Sequence, residues 1–253
     1  MLRSEFEKIL NQTLSPSLFK DYAPNGLQVE GKNEIKRVVT GVTACQALID
    51  AAIEYQADAI FVHHGYFWKG EAPQIIGMKY RRVSALIKND INLYGYHLPL
   101  DAHPMLGNNA GLANALGVYE CQPLQSNLPI EQSIGIVGEL ASALSMDDFR
   151  ALVEQAVSRN VLFERAGPKM IKRVALCTGG AQGYIDQAIA ADADVFITGE
   201  VSEQTIHLAR EMGIHFIAAG HHATERFGAQ SIAKFLRDEY ALDAAFIDID
   251  SPA

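Results

Sequence analysis

What the sequence has little of narrows its class first. Its three cysteines, Cys45, Cys121 and Cys177, are odd in number and show no CxxC spacing, so neither a disulfide framework nor a zinc knuckle is encoded. Reduced thiols in a cytoplasmic protein fit this usage. No apolar run approaches the roughly 18 residues of a membrane span. The opening MLRSEFEKIL carries acids within its apolar stretch, unlike a secretory signal, so a soluble, unexported chain with no membrane partner is expected. Basic residues are also in deficit: 21 Lys and Arg against 30 Asp and Glu give a formal net charge of −9. Gripping a nucleic-acid backbone needs a basic face, so such a partner is not indicated outside a local pocket. The acidic excess suits divalent cations and equally a solvated surface.

What is present is an ordinary globular composition, 49% hydrophobic and 20% charged over 253 residues, enough for a folded core without a large disordered tail. Phe6, Ile9, Leu10 and Leu14 recur at helical spacing and predict a surface helix over 4–14. Pro24-Asn25-Gly26, within DYAPNGLQVEG, reads as a turn entering a short strand. RVVTGVT (37–43) predicts a strand, 46–55 a helix, and DAIFV (58–62) a strand ending at His63-His64-Gly65. A helix over 80–88, the strand NLYGYH ending at His97 and a helix over 108–116 continue an alternation typical of a helix-covered parallel sheet.

The pattern then recurs. RVALCT (173–178) reads as a strand, 182–191 as a helix, DVFIT (194–198) as a strand ending at Gly199-Glu200, and 203–212 as a helix. The strand HFIAAG and a helix over 224–239 close the second copy. IDAAIEYQADAIFVHH (49–64) aligns with IDQAIAADADVFITGE (185–200), and His97-Leu-Pro-Leu-Asp101 falls against His221-His-Ala-Thr-Glu225. A repeat of this size implies an internal duplication into two similar α/β lobes rather than a many-unit solenoid. The first lobe is expected over 1–125 and the second over 126–253, the latter including a β-rich linking segment at about 126–170 to which no chemistry is assigned.

In α/β sheets, ligands bind beyond the carboxyl ends of the strands. Five of the eight histidines, His63, His64, His97, His221 and His222, stand at such ends beside acids. Mixed imidazole and carboxylate donors suit zinc, iron, manganese, nickel or cobalt better than calcium. At least three histidines and two carboxylates suffice for two divalent ions, with Asp101 or Glu225 as a bridge. Leu98-Pro99 argues for a turn between His97 and Asp101, and Thr224 for a cap on a helix beginning at Glu225. His97 and Glu200 suit proton transfer or support of the ligands. The loop 177–183 (CTGGAQG) reads as a tight turn, with backbone approach to a phosphate or base as the alternative. Tyr66-Phe67-Trp68-Lys69-Gly70 reads either as an aromatic wall with a cation beside the metals or as packing. His207 and His215 are expected to be structural.

These residues also carry a resemblance. DYAPNGLQVEG, VHHGYFWKGE, INLYGYHLPLDAHP with LGNNA, ITGEVSEQTIH and AAGHHATER resemble, over essentially the whole chain, the NIF-three-like proteins, also called GTP cyclohydrolase 1 type 2-like. The resemblance implies His63, His64, Asp101, His221 and Glu225 as ligands of a dinuclear metal centre, with His97 and Glu200 as polar positions around it. It also implies two similar α/β lobes, a ring-shaped homohexamer and a metal-dependent hydrolase acting on a small molecule, GTP being one candidate. The rival expectation is a non-enzymatic metal-binding or regulatory scaffold.

Overall fold

The computed structural model describes Met1 through Ala253. The chain divides into two compact units, Met1–Leu100 with Gly228–Ile249, and Asp101–Phe227 with Asp250–Ala253. This differs from the single division expected near residue 125. Residues 101–125 join the second unit because Leu112, Ala113, Leu116 and Val118 enter its core. The last helix and strand return to the first.

The first unit opens with helix α1 (Arg3–Leu14), whose buried face is Phe6, Leu10 and Leu14, the four-residue spacing of one helix side. Strand β1 (Gly26–Val29), strand β2 (Arg37–Thr43), helix α2 (Gln46–Glu54), strand β3 (Ala59–His64), helix α3 (Gly77–Lys88) and strand β4 (Asn92–Gly95) follow. Val38, Val39 and Val42 of β2 are all buried, as a strand covered on both faces requires. The short helix α4 (Leu98–Ala102) comes next. Pro99 is its second residue, where the absent N–H would have no intrahelical partner anyway, so the expected turn is a helical one.

The second unit contains α5 (Asn108–Leu116), β5 (Val118–Pro123), β6 (Ile136–Ser145), α6 (Met146–Val157), β7 (Leu162–Glu164) and β8 (Met170–Leu176). It continues through α7 (Ile185–Ala190), β9 (Val195–Thr198), α8 (Glu203–Met212), β10 (His215–Ala218) and α9 (His221–Thr224). Helix α10 (Arg226–Tyr240) and strand β11 (Asp243–Phe246) end the series. No helix is long and apolar enough to cross a membrane.

The duplication is explicit in the sheets. The first has the order β1-β4-β3-β2-β11 and the second β5-β6-β8-β9-β10-β7. In each, three parallel strands (β2, β3, β4 and β8, β9, β10) end on an antiparallel edge strand, β1 or β7. The two differ at the other edge, where β11 joins β2 in parallel but β6 joins β8 antiparallel. The repeat extends to single bonds: Asp58 Oδ2 accepts from Lys36 N and Arg37 N, and Asp194 Oδ2 accepts from Lys172 N and Arg173 N. Helices α2 and α7 are each followed by a left-handed residue, Gln56 (φ 58°) and Asp192 (φ 53°).

The β-rich link expected within the second lobe carries α6 and β7. Helix α6 and strand β7 stand where α1 and β1 stand in the first copy, and Phe149, Val153 and Val157 of α6 are buried. What hid the repeat is that α6 and α1 share little beyond their spacing of buried positions and the first of them, Phe6 and Phe149.

Candidate metal centre

In the first unit, β3 carries His63 and His64 to its end. Successive residues of a strand ordinarily point to opposite faces, yet these rings are 4.5 Å apart between centroids. Each is held by Nδ1: His63 donates to Tyr96 O at 3.2 Å, and His64 Nδ1 lies 3.2 Å from Thr43 Oγ1. His97, just after β4, lies 5.0 Å from His63 and 5.8 Å from His64 between ring centroids. Ligand nitrogens of all three lie within 4.8 Å of one another. With Nδ1 of His63 donating to a carbonyl, its Nε2 keeps the lone pair a metal needs.

His97 has a carboxylate partner that sequence reasoning missed. Its Nδ1 is 2.9 Å from Asp21 Oδ1, and its backbone N donates to Asn25 Oδ1 at 2.7 Å. Burial, the largest influence, would raise the Asp21 carboxyl, but hydrogen bonds from His97 and then Asn25 hold it far below the usual range. Only the turn signal DYAPNG pointed toward this loop. The aromatic segment divides: Tyr66 is buried with its hydroxyl on Ala44 O, while Trp68 stands edge-on to His97 at 5.0 Å and beside Tyr22 at 5.6 Å. The wall beside the histidines is thus Trp68 and Tyr22. Lys79, from α3, sits over the Phe67 ring.

In the second unit, Asp101 is 7% exposed and Glu225 2%, and their carboxylates present oxygens within 4.8 Å of each other. Asp101 is oriented by amide and hydroxyl donors: Asn108 Nδ2 reaches its Oδ1 at 2.9 Å and Thr178 Oγ1 at 3.3 Å. Asn109 ties its carbonyl to the loop, donating to Asp101 O and accepting from Thr178 N. The pair Asn108-Asn109 was visible in the sequence as LGNNA, without a role.

His221 lies between two carboxylates, Nδ1 at 2.8 Å from Glu200 Oε1 and Nε2 at 3.2 Å from Glu225 Oε1. The hydrogen bond to Glu225 is the dominant influence; burial opposes it, and the charge of Glu225 and then Glu200 reinforce it, raising the His221 pKa to about 9. Glu200 thus orients a candidate ligand through the ring nitrogen that would not face the metal. Thr224 does not cap a helix at Glu225: it closes α9, donating to Gly220 O at 2.9 Å and accepting from Gly179 N at 3.0 Å. Glu225 follows as the C-cap of α9.

The loop 177–183 is a tight turn serving these side chains. Gly179 has φ 72°, and a Cβ there would fall 2.1 Å from Glu225 Oε1. Its carbonyl is bound by Gly199 N and Thr198 Oγ1. Burial pushes the Cys177 thiol well up, aided by the charges of Asp101 and Glu225, so the thiolate that metals and electrophiles require is disfavoured. Of the other histidines, His215 is structural, accepting from Gly167 N and donating to Pro168 O. His207 is exposed on α8 near Glu203. His222 sits half-buried in α9, its backbone N donating to Ala253 O at 3.2 Å.

These donors fit a divalent transition metal: imidazoles with one nitrogen committed to a carbonyl or carboxylate, and buried carboxylates held by neutral donors. Comparison with known proteins gives the family. The model of the family Duf34/NIF3 (NGG1p interacting factor 3) matches residues 1–252. A Haemophilus influenzae protein named GTP cyclohydrolase 1 type 2 homolog is 56% identical over 98% of this chain and 98% of its own. The solved structure of the protein ybgI, described as of unknown function, is 50% identical with a TM-score of 0.95, covering 100% of both chains. TTHA1606 from Thermus thermophilus is 32% identical with a TM-score of 0.90, again over 100% of both. Sequence, topology and donor chemistry lead to one assignment: the chain belongs to the Duf34/NIF3 family.

Proposed function

We propose that His63, His64, Asp101, His221 and Glu225 serve as the ligand set for two divalent metal ions, and that the protein is a metal-dependent hydrolase. The observation that carries this reading is the pair of buried carboxylates, Asp101 and Glu225, with oxygens within 4.8 Å of each other. Buried like charges so close call for a cation. In the metal-free chain the raised pKa of His221 answers part of that demand with a proton.

Bound there, two such ions would supply a hydroxide near neutral pH and polarise a carbon or phosphorus centre. The chain's own groups have separable parts. Glu200 holds the Nδ1 proton of His221, leaving Nε2 for ligation; Asn108 and Thr178 fix the direction of the Asp101 carboxylate. In this reading His97 and Glu200 are the groups that move protons. The relatives' name makes opening of the GTP purine ring one candidate reaction, with phosphoester cleavage as the other. The assembly proposed, on the family resemblance, is a ring-shaped homohexamer in the cytoplasm.

The test is metal analysis joined to a reaction screen on the full chain. Each alanine substitution of the five ligands should lower bound metal, and Glu200→Gln should keep metal while losing turnover. Formate released from GTP supports ring opening, whereas cleavage of a cyclic or single-stranded phosphoester with no formate transfers the assignment to phosphoester chemistry. Full metal occupancy with no turnover of either class, and a Glu200→Gln variant indistinguishable from wild type, would leave a metal-binding scaffold instead of an enzyme.

A further inference from the structure

The turn from Asp21 to Gly26 does more than enter β1. The Asp21 side chain is 3% exposed and its two oxygens are fully engaged. Oδ1 accepts from Tyr22 N at 2.7 Å, Ala23 N at 3.1 Å and His97 Nδ1 at 2.9 Å; Oδ2 accepts from Asn25 Nδ2 and Leu98 N, both at 3.0 Å. Three of these donors belong to the turn and two to the segment after β4. The carboxylate is therefore fixed from both sides and has little freedom to rotate away from the imidazole.

The ring is clamped as well. Asn25 Oδ1 takes the backbone N–H of His97, and Tyr22 and Trp68 meet the ring edge-on, each at 5.0 Å. With Nδ1 committed to Asp21, Nε2 remains for the face shared with His63 and His64. We propose that Asp21 is the positioning residue of His97, fixing the tautomer protonated at Nδ1 so that the Nε2 lone pair is presented to the histidine cluster. The use of that lone pair rests on the hydrolase reading. Nε2 takes a proton from the attacking water as its oxygen bonds to the substrate, and returns it to the leaving group as the scissile bond breaks; the Nδ1 proton stays on His97 and Asp21 stays ionised throughout. The second unit offers a contrast, since Glu200, which holds His221 in the same way, has a side chain 47% exposed. The Asp21 pair is locked, and the Glu200 pair is open to exchange with solvent.

Full-length, zinc-loaded protein labelled with ¹⁵N in its histidines provides the test, with His97→Gln used to assign the His97 signals. The wild-type spectrum should show His97 protonated at Nδ1 and unprotonated at Nε2. Asp21→Asn should lose that tautomer preference, retain zinc, and lower turnover on the order of 10- to 100-fold, the range for groups that orient a site's imidazoles. A wild-type His97 protonated at Nε2 would overturn the proposal without any variant, and so would Asp21→Asn with unchanged tautomer and turnover. If wild type turns over nothing in the screen while the tautomers behave as stated, the hydrolase reading fails and the positioning role of Asp21 stands.

Discussion

At Gly179, one hydrogen atom in place of a methyl group decides where Glu225 can sit. The backbone there has φ 72°, and a Cβ would overlap the Glu225 carboxylate at 2.1 Å, so Gly179→Ala meets strain and collision together. It should lower the melting temperature and weaken zinc binding. Gly183→Ala, where nothing lies within 4 Å and φ is unremarkable, should do neither; equal effects of the two on zinc titration would refute the argument. His221 offers a second prediction, with two signs. Its folded pKa of about 9 exceeds the ordinary 6.5, so in metal-free protein its stabilisation is complete below about 6.5 and fades as pH rises through 9. Metal must displace that same proton. Zinc affinity should therefore rise with pH up to about 9, by close to tenfold per unit from this group alone. His221→Gln should flatten that slope, as read by competition with a chelator across pH 6.5 to 9.

At the scale of elements, α6 is the sharpest case, because its sequence reads as part of a connection while its structure is a core helix of the repeat. Ser145 caps it by accepting from Asp148 N, and Phe149, Val153 and Val157 pack into the second core. Phe149→Ala should cost about 3–5 kcal/mol in urea unfolding, whereas a substitution in a true linker stays within about 0.5 kcal/mol. The strands and helices carrying the candidate ligands were legible because their signals are local: β-branched runs such as RVVTGVT, periodic helices, and the aligned copies at 49–64 and 185–200. The same signals placed His63, His64, His97, Glu200 and His221 at or just beyond strand ends. Asp21, Asn25 and Thr178 were not legible as partners, since the bonds that matter join them to His97 or Asp101, residues far away in sequence, and Asn108 was not because no pattern marks its bond to Asp101. Thr224 was misread for a related reason. A hydroxyl ahead of a helix looks like a cap, but here it is spent on Gly220 O and Gly179 N within the preceding turn.

For the whole molecule, the division of the chain matters more than the count of its elements. The first unit includes Gly228–Ile249, and that return is structural: β11 pairs in parallel with β2, matching Val38 with Ala244 and Val39 with Ala245. The Thr40 hydroxyl, fully buried, donates to Ala229 O at 2.8 Å. A fragment ending at residue 125 keeps β1 to β4 but leaves β2 as a bare edge and strips the apolar face of α10, Ile232, Ala233 and Leu236. Its residues 101–125 would also lack the core into which Leu112 and Leu116 pack. An exposed, β-branched edge of this kind favours association over folding. Fragment 1–125 should therefore show no cooperative thermal transition by circular dichroism and little amide dispersion by NMR, in contrast to the intact chain. A sharp transition with dispersed amides would mean that the first repeat folds without its returning strand, and that β11 only decorates a sheet already complete.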